Sequence, residues 1–264
     1  MNVHVETFNL SETTRFFDEA SKGEEIVAAT VKDSVSGVDH KICLARNEEG
    51  AQMTITDKNG EEVAAPVQTY NPYDAQHAVT QALEATANER EYVKTETVLS
   101  YGDCGDSCKY MAVEGNKKDE VILKVEETSL LLTKESVFKD DMNDGGDFRG
   151  AANKVTTIEA NVNQIDSNVL AKFPNADTLA LGNKVEKIAA DVTKETGEEP
   201  QPNTIRKVII DHESPLLHQS AEQLKETLEN ASLDNTRVYV DNNKNLESLN
   251  LKETVQKEIK EIAE

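Results

Sequence analysis

The stretch Asn175–Gly182, NADTLALG, contains a sequence pattern that recurs further along the chain. In each copy an asparagine precedes two apolar residues that are separated by one position. The pairs are Leu179/Leu181 after Asn175, Val208/Ile210 after Asn203, Val238/Val240 after Asn235 and Leu249/Leu251 after Asn245. The first three pairs begin at positions 179, 208 and 238, so the steps are 29 and 30 residues. Repeats of this length are typical of stacked solenoids, in which each unit buries its apolar face against its neighbours.

A family resemblance is carried by the apolar positions around the first of these pairs. They are Val162, Ile165, Val169, Leu170, Phe173, Pro174, Asn175, Leu179, Leu181, Val185 and Ile188. This run resembles the BspA-like branch of the leucine-rich repeats, and the resemblance covers about residues 153–251. It implies short parallel strands that stack into a recognition surface. The chain departs from the family pattern in the long connection TGEEPQPN, in a helical insertion between the second and third pairs, and in the short last step.

The first half of the chain has a different pattern. Short runs that alternate apolar and polar residues, separated by turn clusters, predict an antiparallel meander. Residues 10–22 and 73–90 have the composition and spacing of helices. The predicted fold class is therefore an α+β domain over 1–138, followed by an irregular leucine-rich-repeat-like α/β domain over 151–264. The acidic, Gly/Asp-rich segment 139–150 is the predicted linker.

The C-terminal segment LKETVQKEIKEIAE is predicted to form a helix that caps the repeats. Val255, Ile259 and Ile262 would lie on one face of this helix, with charged residues on the other. The alternative is that the helix docks a partner or acts as an export signal.

The overall charge limits the classes of partner. Asp and Glu number 50 against 28 Lys and Arg, which leaves a formal net charge of −22. This charge repels phosphate backbones and anionic headgroups, so direct binding to nucleic acid is not expected. No apolar run reaches the roughly 18 residues of a membrane helix, so membrane insertion is not expected either. The predicted partner is another protein; if that protein is basic, the charge speeds their encounter.

The cysteine count and the N-terminal sequence indicate where the protein acts. Cysteines number 3, an odd and small count that favours a reducing compartment. The opening sequence MNVHVETFNLSETTRFF lacks the basic start and apolar core of a secretory signal. We expect a cytoplasmic protein, or a bacterial effector that is delivered by a secretion system without such a signal.

The stretch YGDCGDSCKY, residues 101–110, is the most chemically suggestive one. Cys104 and Cys108 could form a disulfide or provide half of a thiolate metal site, and the spacing leaves both options open. Nothing supplies the other half, so no metal is predicted. The aspartates beside both cysteines disfavour a thiolate nucleophile. The favoured interpretation is a polar turn that holds two incidental cysteines, with a redox-active pair second and catalysis third. Cys104, Cys108 and, as a base, His77 are nevertheless the candidates for catalysis.

Two other kinds of binding loop are not supported. The acidic run DDMNDGGD, residues 140–147, fails as an EF-hand loop because Met142 and Ala151 occupy ligand positions. Neither G-x-G-x-x-G nor G-x-x-x-x-G-K-[ST] occurs, so no cofactor is predicted.

We expect a protein–protein interaction module that binds through the outward side chains of its repeat strands. These side chains alternate with the apolar pairs. The candidate contact residues are Thr178, Lys207, Arg237 and Tyr239, with Arg237 and Tyr239 favoured because Arg and aromatic residues dominate interface energetics. Two alternatives remain: an enzyme or delivered effector with Cys/His chemistry in the N-terminal domain, and an acidic DNA-mimic inhibitor.

Overall fold

The computed structural model describes residues 3–33, 39–128, 135–139, 148–190, 201–243, 245–251 and 254. The fold is mixed α/β, with several sheets and few helices. The chain divides into two compact units, residues 1–99 and 100–264.

The first unit is built on a five-stranded antiparallel sheet in which the strands follow chain order. The strands are β1 (Val3–Thr7), β2 (Glu25–Asp33), β3 (Asp39–Arg46), β4 (Ala51–Thr56) and β5 (Val67–Thr69). The meander predicted from the sequence is confirmed for β2, β3 and β4.

The run EEVAAP, residues 61–66, is one of the alternating runs from which the meander is predicted, but it forms no strand and only one bridge, between Thr56 and Glu62. Pro66 lacks the N–H that a strand ladder requires, and the last strand of the sheet begins after it, at Val67.

Two helices, α1 (Leu10–Glu19) and α2 (Pro72–Ala87), lie in the regions predicted to be helical. The second helix packs on the sheet, and α1 packs against α2. The cap of α1 is Asn9, whose Oδ1 accepts from the N–H of Glu12 at 3.0 Å, while the Glu12 carboxylate accepts from the N–H of Asn9 at 2.8 Å. This reciprocal capping box sets the start of α1 at Leu10, the first residue of the predicted helical segment 10–22. The shared core includes Phe16, Ile42, Leu44, Met53, Ala75, Ala78, Val79 and Ala82.

A buried carboxylate fixes the end of the first unit. Asp74 is 0% exposed and accepts from Lys94 Nζ at 2.6 Å, from the N–H of Tyr70 at 2.9 Å and from the N–H of Val98 at 3.0 Å. A buried charge is tolerated when it is paired and hydrogen-bonded in this way. Tyr92 is also buried, and its hydroxyl has no hydrogen-bond partner among the described residues. Burial, reinforced by the charge of Asp74, raises the pKa of Tyr92 to about 12.

The second unit contains a sheet of eight strands and a sheet of three. The large sheet has the order β16-β15-β14-β12-β10-β8-β7-β6, and the small one β13-β11-β9. In chain order the strands are β6 (Val98–Asp103), β7 (Cys108–Glu114), β8 (Val121–Glu127), β9 (Val137–Phe138), β10 (Thr157–Asn161), β11 (Gln164–Asp166), β12 (Thr178–Leu181), β13 (Lys187–Ala189), β14 (Lys207–Asp211), β15 (Arg237–Asn242) and β16 (Asn245–Leu249). A helix, α3 (Ala221–Asn230), lies in the predicted helical insertion.

Five neighbouring strands of the large sheet, β8, β10, β12, β14 and β15, run parallel; we call them the parallel ladder. Their apolar residues lie in register in two inner rows. The first row is Leu123, Ile158, Leu179, Val208 and Val238, and the second is Val125, Ala160, Leu181, Ile210 and Val240. All except Val240 are buried. The first three apolar pairs of the repeat therefore occupy equivalent positions.

The fourth apolar pair does not continue the ladder. β16 pairs antiparallel with β15, and Leu249 lies opposite Val238. Only two residues separate the ends of these strands, and Asn243 has a φ of 53°. A connection this short closes a hairpin, whereas a parallel neighbour needs a long crossover. The fourth pair, Leu249/Leu251, is therefore not equivalent to the first three, in keeping with its short spacing from Val238.

The ladder begins before the predicted repeat domain. β8 pairs with β10 in parallel, and the second compact unit starts at residue 100. The sequence instead predicts a boundary at 139–150, because that segment is rich in Asp and Gly. A crossover between parallel strands also has to be long, so such a segment can connect two repeats as well as two domains. Residues 140–147, including the acidic run compared with a calcium loop, lie outside the described residues.

An aromatic cluster packs inside the second unit. Phe148 lies 4.7 Å from Phe173 and 5.1 Å from Tyr110 between ring centroids, and Phe138 lies 6.2 Å from Phe148. All four rings are buried. They provide the large aromatic side chains of a core that otherwise consists mainly of aliphatic residues.

The turn between β6 and β7 is closed by a disulfide between Cys104 and Cys108, whose Cα atoms are 5.2 Å apart. Both residues are buried. The turn also holds β9, because the N–H of Val137 donates to Asp106 O at 2.9 Å and the N–H of Lys139 donates to Cys104 O at 3.0 Å. The favoured interpretation of two incidental cysteines is therefore wrong: the structure contains the disulfide, one of the two pairings that the spacing left open.

The predicted capping helix lies largely outside the described residues. Leu251 and Thr254 are helical, while Val255, Ile259 and Ile262 are among the residues that the structure does not describe. Within the described ranges, no helix is both long and apolar enough to cross a bilayer.

The raised pKa of Tyr92 predicts a loss of stability at high pH. In the unfolded chain the phenol titrates near about 10, whereas in the folded chain it titrates at about 12. Between these values the unfolded state has lost a proton that the folded state keeps, so the free energy of unfolding falls as the pH rises. Urea denaturation across this range should show a smaller fall for Tyr92→Phe. The exposed control Tyr70→Phe should behave like the unmodified protein; an equal fall in both variants contradicts the assignment.

Reduction of the disulfide is expected to destabilise the second unit. The chain-entropy relation for a loop this short gives about 2 kcal/mol. Urea denaturation should show a loss of this size on adding reductant, and the Cys104→Ser/Cys108→Ser double variant should no longer respond to reductant. The Cys43→Ala variant, which keeps the disulfide, should still respond. An unchanged urea midpoint after verified reduction contradicts the prediction.

Candidate partner-binding face

The side chains that alternate with the inner rows form one surface, which we call the outer face. Its residues also lie in register across the parallel ladder. The first outer row is Ile122, Thr157, Thr178, Lys207 and Arg237; the second is Lys124, Glu159, Ala180, Ile209 and Tyr239; the third contains Glu126, Asn161, Asp211 and Asp241.

All four predicted contact residues lie on this face. Thr178, Lys207 and Arg237 are neighbours in the first row. Lys207 Nζ is 5.1 Å from the centroid of the Tyr239 ring, within the range of a cation–π contact. Arg237 is exposed, and the other three are half-buried. The structure therefore brings together residues that lie up to 61 positions apart, from 178 to 239.

A groove with a volume of about 500 Å³ crosses the outer face. Ala180 and Gly182 line it at the centre, where they add little side-chain bulk above β12. Gly182 is required by a close approach, because a Cβ there would lie 2.4 Å from Asn161 Oδ1. That Oδ1 atom accepts from the N–H of Lys184 at 3.1 Å. Larger residues on both sides form the walls, including Lys124, Glu126, Glu159, Ile209, Asp211 and Asp241.

The groove is acidic. Four carboxylates line it, those of Glu126, Glu159, Asp211 and Asp241, against the single ammonium group of Lys124, so the formal charge of these five residues is −3. Asp211 and Asp241 lie opposite each other in register on β14 and β15. Neighbouring strands are about 4.8 Å apart, so the two carboxylates repel each other.

The loop after β14 supports this acidic end of the groove. Asp211 Oδ1 accepts from the N–H of Glu213 at 2.8 Å, which fixes the carboxylate. His212 lies next to it, with Nδ1 at 3.2 Å from Asp241 O and 3.5 Å from Asp211 Oδ1. The arrangement favours a positively charged group in the groove.

The sequence prediction did not include the acidic residues of the groove. A signal for them was present, since Leu123/Val125 and Ile158/Ala160 also form apolar pairs two positions apart. Glu126 follows the first of these pairs and Asn161 follows the second. In the same way, Asp211 and Asp241 follow the apolar pairs of β14 and β15. Aligning all five strands by their pairs would have placed these residues in one row.

The residues proposed for catalysis do not gain support from their positions. The sulfur atoms of Cys104 and Cys108 are bonded to each other, so in this state neither provides a thiolate. His77 lies half-buried on α2 in the first unit. Among the described residues, no group of three or more His, Cys, Asp or Glu side chains is arranged to hold a metal ion.

Comparisons of the chain with protein-family models, with curated proteins and with solved structures found no match. The functional interpretation therefore depends on the geometry of the outer face.

Proposed function

We propose that residues 100–264 form an irregular leucine-rich-repeat-like recognition unit, and that the protein binds a partner protein on the outer face. The observation that carries the proposal is the groove over β12. Residues of the outer rows, which extend across five parallel strands, line this groove. Side chains held at regular spacing on a sheet are preorganised for binding, which reduces the entropy lost on association.

The composition of the outer face supports contact with a protein. Tyr239 and Arg237 are of the residue types that dominate interface energetics. The Lys207 ammonium group above the Tyr239 ring restricts the motion of both side chains. Together they form a patch beside the groove that offers an aromatic surface and charged hydrogen-bond donors.

The charge of the whole chain favours a basic partner. The formal net charge of −22 attracts a positively charged protein over a distance and increases its association rate. The outer face also carries Lys124, Lys207 and Arg237. These cations interrupt any continuous array of carboxylates, which makes the DNA-mimic alternative the weaker one.

Filling the groove should weaken partner binding. We expect Ala180→Ile to weaken binding at least about tenfold, because the larger side chain occupies space that the partner needs. Partners are captured from a lysate with the full-length protein, identified by mass spectrometry, purified and titrated against each variant. Arg237→Ala and Tyr239→Ala should also weaken binding.

The matched control is Ala87→Ile, which adds the same groups to α2 in the first unit. Urea denaturation establishes that Ala180→Ile remains folded. A purified partner that binds folded Ala180→Ile, Arg237→Ala and Tyr239→Ala as tightly as the unmodified protein would show that the outer face is not the binding site.

A further inference from the structure

We infer that the groove receives an extended basic segment of the partner, with a lysine or arginine side chain lying across β12 and its charged head beside Asp211 and Asp241. This inference rests on the proposed function, and it specifies the chemistry of the occupant.

The shape of the groove suits a long, unbranched side chain. Ala180 provides a small apolar surface at the centre, and Ile209 provides an apolar wall beside it. Lysine and arginine have aliphatic stems that pack on apolar surface while the head stays in a polar environment. A stem over Ala180 and Ile209 would place the head at one end of the strands.

The charged residues at the two ends of β14 and β15 determine at which end the head of the bound side chain lies. Asp211 and Asp241 lie at the carboxyl ends of β14 and β15, and a cation between them would relieve their mutual repulsion. The opposite end of the same strands carries Lys207 and Arg237, which repel a cation. The head therefore points toward the third outer row.

The opposite wall adds a second acidic contact. Glu126 lies in the third row on β8 and is exposed. Lys124 lies two residues before it, in the second row, and disfavours a cation at that level of the groove. A segment that crosses the strands along the third row could therefore place basic residues beside Glu126 as well as beside Asp211 and Asp241.

The test uses an acetylated, amidated peptide of alternating arginine and alanine. It is titrated into the full-length protein, and binding is followed by the backbone amide signals of Ala180, Gly182 and Ile209 in NMR spectra. The matched peptide has citrulline, the neutral isostere, in place of every arginine. We expect saturable shifts at these three amides with the arginine peptide, and binding about tenfold weaker with the citrulline peptide.

Variants locate the charge contact. Asp211→Asn/Asp241→Asn keeps the size of both side chains and one oxygen acceptor on each, and it is expected to weaken binding of the arginine peptide about tenfold. The control Asp234→Asn removes an exposed carboxylate outside the groove and should leave the affinity unchanged. Equal affinity for both peptides, or equal weakening in both variants, overturns the inference.

Three further results separate this inference from the proposed function. If Ala180→Ile abolishes binding of the purified partner while the arginine peptide binds no better than the citrulline peptide, the face is correct and the basic occupant is wrong. If spermine binds more tightly than the arginine peptide and shifts the same amides, a small polycation replaces the protein segment as the occupant. If Ala180→Ile changes neither partner nor peptide binding, both proposals fail.

Discussion

The in-register burial of the two inner rows is the constraint on which the second unit depends. Leu123, Ile158, Leu179, Val208 and Val238 come from five separate segments, yet they lie in register across the parallel ladder. A shift of any strand by one residue would move its apolar side chains to the outer face. The same register that forms the core therefore aligns the outer rows, so the surface follows from the packing beneath it.

The regular part of this arrangement could be predicted from the sequence. The apolar pairs at Leu179/Leu181 and Val208/Ile210 repeat at a nearly constant spacing, and alternation places Lys207 and Tyr239 on the opposite side of the sheet. The start and end of the ladder could not be located in this way. The hairpin to β16 depends on a two-residue connection, and the parallel pairing of β8 depends on a contact between distant segments.

The groove exists because the outward positions along β12 have small side chains. Ala180 and Gly182 have little or no side chain, while their neighbours on both sides are larger. No single segment of the sequence shows this contrast, because the residues that create it lie on β8, β10, β12, β14 and β15. The disulfide at Cys104/Cys108 is a comparable case: the spacing permitted it, but only the turn geometry brings the two cysteines together.

The central claim is that the outer face of the parallel ladder binds the partner. Amide hydrogen exchange of the full-length protein, measured with and without the purified partner, tests it most directly. The account predicts increased protection in residues 122–126, 178–182 and 207–211, with the first unit unchanged. Increased protection confined to residues 1–99 would contradict it and direct attention to the first unit.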